Sequence, residues 1–120
     1  MNYRAIEKDG KTYIESLPGD GLLDSENAAL DLVAACAEYR SNSLLLPAGM
    51  LPEAFFNLKT KLAGQVLLKF TNYRIHVAAI IDPDKAREGR FGEMVVEANQ
   101  GNAFRVFEKQ SQAEAWLLSL

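Results

Sequence analysis

Apolar and polar positions change period several times along this chain, and each change predicts an element. NYRAIEKDGKTYIES places Tyr3 and Ala5, then Tyr13 and Glu15, on either side of Asp9-Gly10. An Asp-Gly pair between two short runs predicts a β-hairpin, because both turn residues must take positive φ. From 25 to 40 the residues Leu30, Val33, Ala34 and Ala37 recur at helical spacing, with Asp24 or Ser25 available as N-cap. SLLLP at 43–47 is short, apolar and closed by proline, which predicts a buried strand. A second helix is expected over 52–70, starting near Pro52 and carrying Phe55, Leu58, Leu62, Val66 and Phe70.

YRIHVAAII at 73–81 predicts a central strand, since its continuous apolar half needs cover on both faces. A third helix follows from about Arg87, with Phe91, Met94, Val95 and Ala98 as its stripe and Gly101 in the position of a C-cap glycine. Residues 103–107 return to strand. Ser111 and Glu114 have capping-box spacing ahead of a terminal helix whose apolar face is Ala113, Trp116, Leu117 and Leu120. The order is hairpin, helix, strand, helix, strand, helix, strand, helix. Strands joined by helical crossovers pair in parallel with right-handed connections, so the expected fold class is α/β, with a mixed, mostly parallel sheet and about four helices.

Composition narrows the function. The chain has 120 residues, 48% of them hydrophobic, enough for one domain with its own core and no internal repeat or linker. Thirteen Lys and Arg against 16 Asp and Glu leave a formal charge of −3, and the pI is about 5.1. That balance argues against a nucleic-acid partner. The longest apolar runs are too short to span a bilayer and MNYRAIEKDG does not read as a secretory signal, so no membrane association is expected and the expected location is the cytoplasm. A single cysteine, Cys36, suits a reducing compartment.

Candidate chemistry is sparse. His76 is the only histidine and has no acidic or cysteine cluster nearby, so it reads as a strand-face residue and no metal site is expected. Cys36 lies among alanines on a helix and reads as core. Asp82 and Asp84 leave the carboxyl end of the 73–81 strand, where open α/β sheets bind ligands; the simpler reading is a proline turn with Asp84 capping the next helix. Arg90, Glu93 and Glu97 share one helix face and, with Arg87, form a candidate binding surface or an ordinary solvated face. Asn99, Gly101 and Asn102 read as helix-terminating residues. No phosphate-binding glycine loop, nucleophile elbow or paired-cysteine motif occurs, and no cofactor and no catalytic residue is assigned.

The element order resembles the STAS domain of anti-sigma factor antagonists, and FRVFEKQSQAEAWL is similar to the closing strand and helix of its SpoIIAA-like branch. More closely, NYRAIEKDGKTYIE, FFNLKTKLAGQVLLKFTNYRIHVAAI and GRFGEMVVEANQGNAFRVF resemble a bacterial family known as domain of unknown function 4180. These resemblances imply a single STAS-like domain over 1–120 and no particular activity. Antagonists of the STAS type carry a phosphorylatable Ser or Thr before their second helix, whereas here that loop reads PAGMLPEAFF, and Thr60 falls inside the predicted helix. The switch is therefore not expected.

Two functions follow as expectations. One is a non-catalytic regulatory or protein-binding module; the other is a small-molecule-binding protein or enzyme using loops near Pro47, Asp82, Arg87 and Arg90. Phe56, Ala63, Leu67 and Phe70 widen the apolar surface of the 52–70 helix beyond what one sheet face needs, which predicts an interface and a homodimer.

Overall fold

The computed structural model describes residues 2–18 and 21–120. Strands β1 (Tyr3–Lys8) and β2 (Lys11–Ser16) form the expected hairpin. Asp9 and Gly10 take φ of 54° and 77°, the backbone that a two-residue hairpin turn demands. The pairing runs antiparallel from Lys8↔Lys11 to Tyr3↔Ser16. Beyond it lie β3 (Ser43–Leu46), β4 (His76–Ile80) and β5 (Phe104–Phe107), each parallel to its predecessor, in the spatial order β1-β2-β3-β4-β5. The 73–81 segment is an interior strand, but the middle of the sheet is β3. The strand also starts later than its apolar pattern suggested. Arg74 (φ 59°) closes the preceding helix, the Ile75 N–H donating to the Phe70 carbonyl at 2.9 Å.

Each parallel connection steps to the neighbouring strand in the same direction, so right-handed crossovers bring their helices to one face. That face carries α1 (Glu26–Glu38), α3 (Leu62–Asn72) and α5 (Gly89–Ala98) over Ile14, Leu44, Leu46, Val77, Ala79 and Phe104. The register explains the alternation. Leu45 and Ala78, opposite one another on adjacent strands, point the other way with Tyr13 and are covered by α6 (Gln110–Ser119) through Ala113 and Leu117. The terminal helix is thus packed as expected, although it begins one residue before Ser111. Gln112 Oε1 accepts from the Lys109 N–H at 3.3 Å, so Ser111 and Glu114 do not form the cap. Trp116 is half-buried and Leu120 is exposed.

Two helical expectations need correction. Ser25 caps α1, accepting from the Ala28 N–H at 3.1 Å, but the buried face is Ala28, Ala29, Leu32, Ala35 and Cys36; Ala34 and Ala37 are exposed. In so alanine-rich a helix the period does not choose a face: Leu32 is fully buried, while Leu30 and Val33 flank it half-buried. The 52–70 helix is broken into α2 (Glu53–Phe56), a 3₁₀ turn (Leu58–Thr60) and α3. Asn57 Oδ1 accepts from the Lys59 N–H at 3.1 Å, an Asx turn that competes with the helix. Lys61 then takes φ of 65°. Thr60 therefore lies in the break, exposed, with its hydroxyl 2.5 Å from the Ala54 carbonyl. The third helix forms as expected, as α5 starting at Gly89 (φ 54°), and a short helix that was not expected, α4 (Pro83–Ala86), precedes it.

The apolar surface proposed for self-association is mostly internal. Ala63 and Phe70 are buried, while Phe56 and Leu67 are half-buried and packed on the core. Phe56 lies edge-on to Phe91 of α5, with centroids 5.0 Å apart, so neither the hairpin nor α6 is needed to cover it. Leu68 is the exposed large apolar side chain on α3. Gly101 does not take the left-handed conformation expected of it; α5 ends at Asn99 (φ −68°).

Candidate functional site

The break after α2 and the joint between α4 and α5 face each other. Phe55, fully buried, anchors α2 against Phe91 of α5 with centroids 6.0 Å apart, and burial of such a ring stabilises by about 1.5–3 kcal/mol. With α2 and α5 held together below, the Asn57–Leu58–Lys59 turn and the Lys85–Gly89 joint form opposite rims of a cleft of about 460 Å³. It opens beyond the carboxyl ends of β3 and β4, where open parallel sheets present ligand sites. Phe56 supplies a ring wall with buried Phe91 behind it, and Lys59, Lys85, Arg90, Glu53 and Glu88 supply charge.

Three cations against two carboxylates make this cleft locally positive in a chain of net charge −3. Lys85 Nζ donates to both Glu53 carboxylate oxygens, at 2.8 and 2.6 Å, and stands 4.8 Å from the centroid of the Phe56 ring. Among the described residues neither Lys59 nor Arg90 has an ion-pair partner. The α5 N-terminus also opens here without a side-chain cap, adding its positive end of the helix dipole.

The structure divides the residues proposed from sequence. Arg90 lies in the cleft. Asp82 caps α4, its Oδ1 accepting from the Asp84 N–H at 2.9 Å, so Asp82 rather than Asp84 is the helix cap and Asp84 is an exposed first-turn residue. Arg87 turns away to Glu108, 3.5 Å distant and exposed. Glu93 borders a second, more apolar groove of about 470 Å³ between α5 and β5, together with Val95, Val96 and Val106, while Glu97 is solvent-exposed on α5. Asn99 has a role its sequence position did not reveal: its Oδ1 accepts from the Val106 N–H at 2.9 Å and occupies a donor on edge strand β5. Lys59, Lys85, Glu53 and Phe91 were not singled out as site residues. Asn57 is a turn former that the helical spacing over 52–70 overrode, and its meeting with Lys85 depends on the sheet.

Other reactive side chains lie elsewhere. His76 projects from β4 on the α6 side, near Trp116 at a centroid distance of 6.5 Å. Its Nδ1 is 2.5 Å from the Asn102 carbonyl, which can only accept, so Nδ1 carries the proton. Cys36 is buried in α1, and loss of solvation pushes its thiol up to about 12. Beneath α6, Tyr13 Oη donates to Glu114 Oε2 at 2.5 Å and Lys8 Nζ to Glu114 Oε1 at 2.8 Å. Burial first, and then the bond to Glu114, raise the Tyr13 phenol above its ordinary range. Buried Glu15 accepts from Arg4 Nε at 2.9 Å and Gln110 Nε2 at 3.4 Å. These contacts fasten α6 to the hairpin. Among the described residues no group of three or more His, Cys, Asp or Glu converges as a metal site, and no helix is long and apolar enough to cross a membrane.

Comparison with known proteins gives one match. The family model described as Domain of unknown function (DUF4180) covers residues 8–117. No curated protein and no solved structure matches the chain.

Proposed function

The chain belongs to the DUF4180 family, and from that premise we propose that it is a non-catalytic regulatory module that binds a small molecule in the cleft between α2 and the α4–α5 joint. The carrying observation is the convergence of the Phe56 ring, backed by buried Phe91, and three cationic side chains from segments about 30 residues apart on one cavity of about 460 Å³, a volume within the range of small-ligand pockets. Binding without turnover is favoured by where the reactive groups lie. Cys36 is enclosed in the core and His76 is tied to a carbonyl on the α6 side.

We read the sheet, with its sequential parallel strands, as STAS-like, and as a version without the antagonist phosphorylation switch: the loop over 46–56 has no hydroxyl, and the Thr60 hydroxyl, exposed in the break before α3, is engaged with the Ala54 and Asn57 carbonyls at 2.5 and 2.9 Å. We also propose a cytoplasmic location, on the composition and the lone cysteine. A second reading has its own support: Val96 is 66% exposed beside the apolar α5–β5 groove, which suits a protein partner.

A thermal-shift screen of metabolites tests the first reading. Ligands that raise Tm should lose their effect in Lys85→Ala and Lys59→Ala and keep it in Val96→Asp. Hits indifferent to both lysine variants would refute the cleft as the site; a partner captured by the parent chain and lost with Val96→Asp would favour the second reading.

A further inference from the structure

The cleft already holds a carboxylate of its own. Glu53 occupies Lys85 with both oxygens, yet its side chain is 85% exposed, whereas that of Lys85 is 36% exposed. The ammonium stands 4.8 Å from the Phe56 centroid, a cation–π contact independent of Glu53; its counter-charge is a surface side chain held by an exposed ion pair, which contributes little. Such a carboxylate is replaceable. Its geometry also shows which chemistry Lys85 accepts from the cavity side: a two-oxygen anion above an aromatic wall.

Resting on the binding reading above, we propose that the occupant is a small organic anion, a carboxylate or similar oxyanion on a flat apolar body. The anionic group displaces Glu53 from Lys85. Lys59 and Arg90, without ion partners among the described residues, add to the field that attracts it. The apolar body lies against Phe56, whose half-buried ring is backed edge to face by the buried Phe91 ring at 5.0 Å. A cationic ligand would meet three like charges, with one of the two carboxylates already engaged.

The test uses three probes of one shape, 1-naphthoate, neutral 1-naphthamide and cationic 1-naphthylmethylamine, titrated to low millimolar concentration into the ¹⁵N-labelled full chain. Amide shifts locate binding and give affinities. Naphthoate should move the resonances of Phe56, Lys85 and Arg90 and bind more tightly than the other two. Glu53→Gln removes the internal competitor and should tighten naphthoate by about twofold to fivefold, the factor equivalent to an exposed ion pair. Lys85→Ala should weaken it by at least as much. If the amine binds best in the cleft, or Glu53→Gln weakens naphthoate, the anion inference is overturned while the cleft remains a binding site. If no probe moves the cleft resonances, or all bind in the α5–β5 groove, both readings are overturned.

Discussion

Gly92→Ala tests the joint that shapes the cleft. A Cβ built on Gly92 would lie 2.6 Å from both the carbonyl carbon and oxygen of Arg87 and 3.1 Å from its Cα. That is roughly 0.8 Å short of the 3.4 Å at which ordinary contact begins. The obstructing atoms are backbone, so no side chain can swing aside, and α5 must move relative to the Arg87–Glu88 turn. Overpacking of this kind costs about 1–3 kcal/mol, and alanine's better helix propensity returns up to about 1 kcal/mol. The net expectation is a loss of about 1–2 kcal/mol, or roughly 4–8 °C in Tm for a domain of this size. Gly64→Ala is the control. Gly64 is helical and exposed, with nothing within 4 Å of its added Cβ, so the same exchange should stabilise by about 0.4–1 kcal/mol. Urea unfolding followed by circular dichroism gives both values, and the shared propensity gain cancels in their difference. Equal stabilisation by the two substitutions would refute the close approach at Arg87 and with it the account of the α4–α5 joint.

Trp116→Ala should cost about 2 kcal/mol, less than the 3–5 kcal/mol of a fully buried large aromatic, because the half-buried ring contacts Phe107, His76 and Arg105 on one side only; unchanged urea unfolding would contradict this. Glu114 is held below the ordinary carboxylate range by Lys8 first and Tyr13 second. A depressed folded-state value gives stability that is present above the ordinary range and lost as pH falls through the folded value, so Glu114→Gln should be less stable than the parent at neutral pH, with the gap closing on acidification. A gap that stays constant across an acid series of melts would refute the assignment. Cys36, its thiol pushed up to about 12 by burial, should resist a disulfide reagent at mildly alkaline pH in the native state and react on unfolding; rapid native labelling would overturn its place in the core.

The parts of this fold that were legible in sequence are those settled by a few consecutive residues. Asp9-Gly10 specifies its turn because positive φ is demanded there of both residues. SLLLP and HVAAI announce buried strands because a continuous apolar run has no solvated face. The face of α1 was misread because alanine contributes too little area at each position to select one side. An unbroken helix was expected at 52–70 because apolar residues keep helical spacing across Asn57, and spacing does not register one residue turned to positive φ, here Lys61.

The candidate site shows the same division at longer range. Arg90 was singled out from a charge pattern on one helix. Lys85, Glu53 and Lys59 carry no signal of their own, since a lone lysine or glutamate is the commonest of surface residues. Sequence alone determined the element order, the α/β class and the parallel pairing, because period and turn chemistry are local. Tertiary structure decided where the 52–70 helix breaks and that Glu53 meets Lys85, 32 positions away, across a cleft. Such a meeting depends on the register of β3 against β4 and on Phe55 packing under Phe91, and those are relations between distant segments that no window along the chain contains.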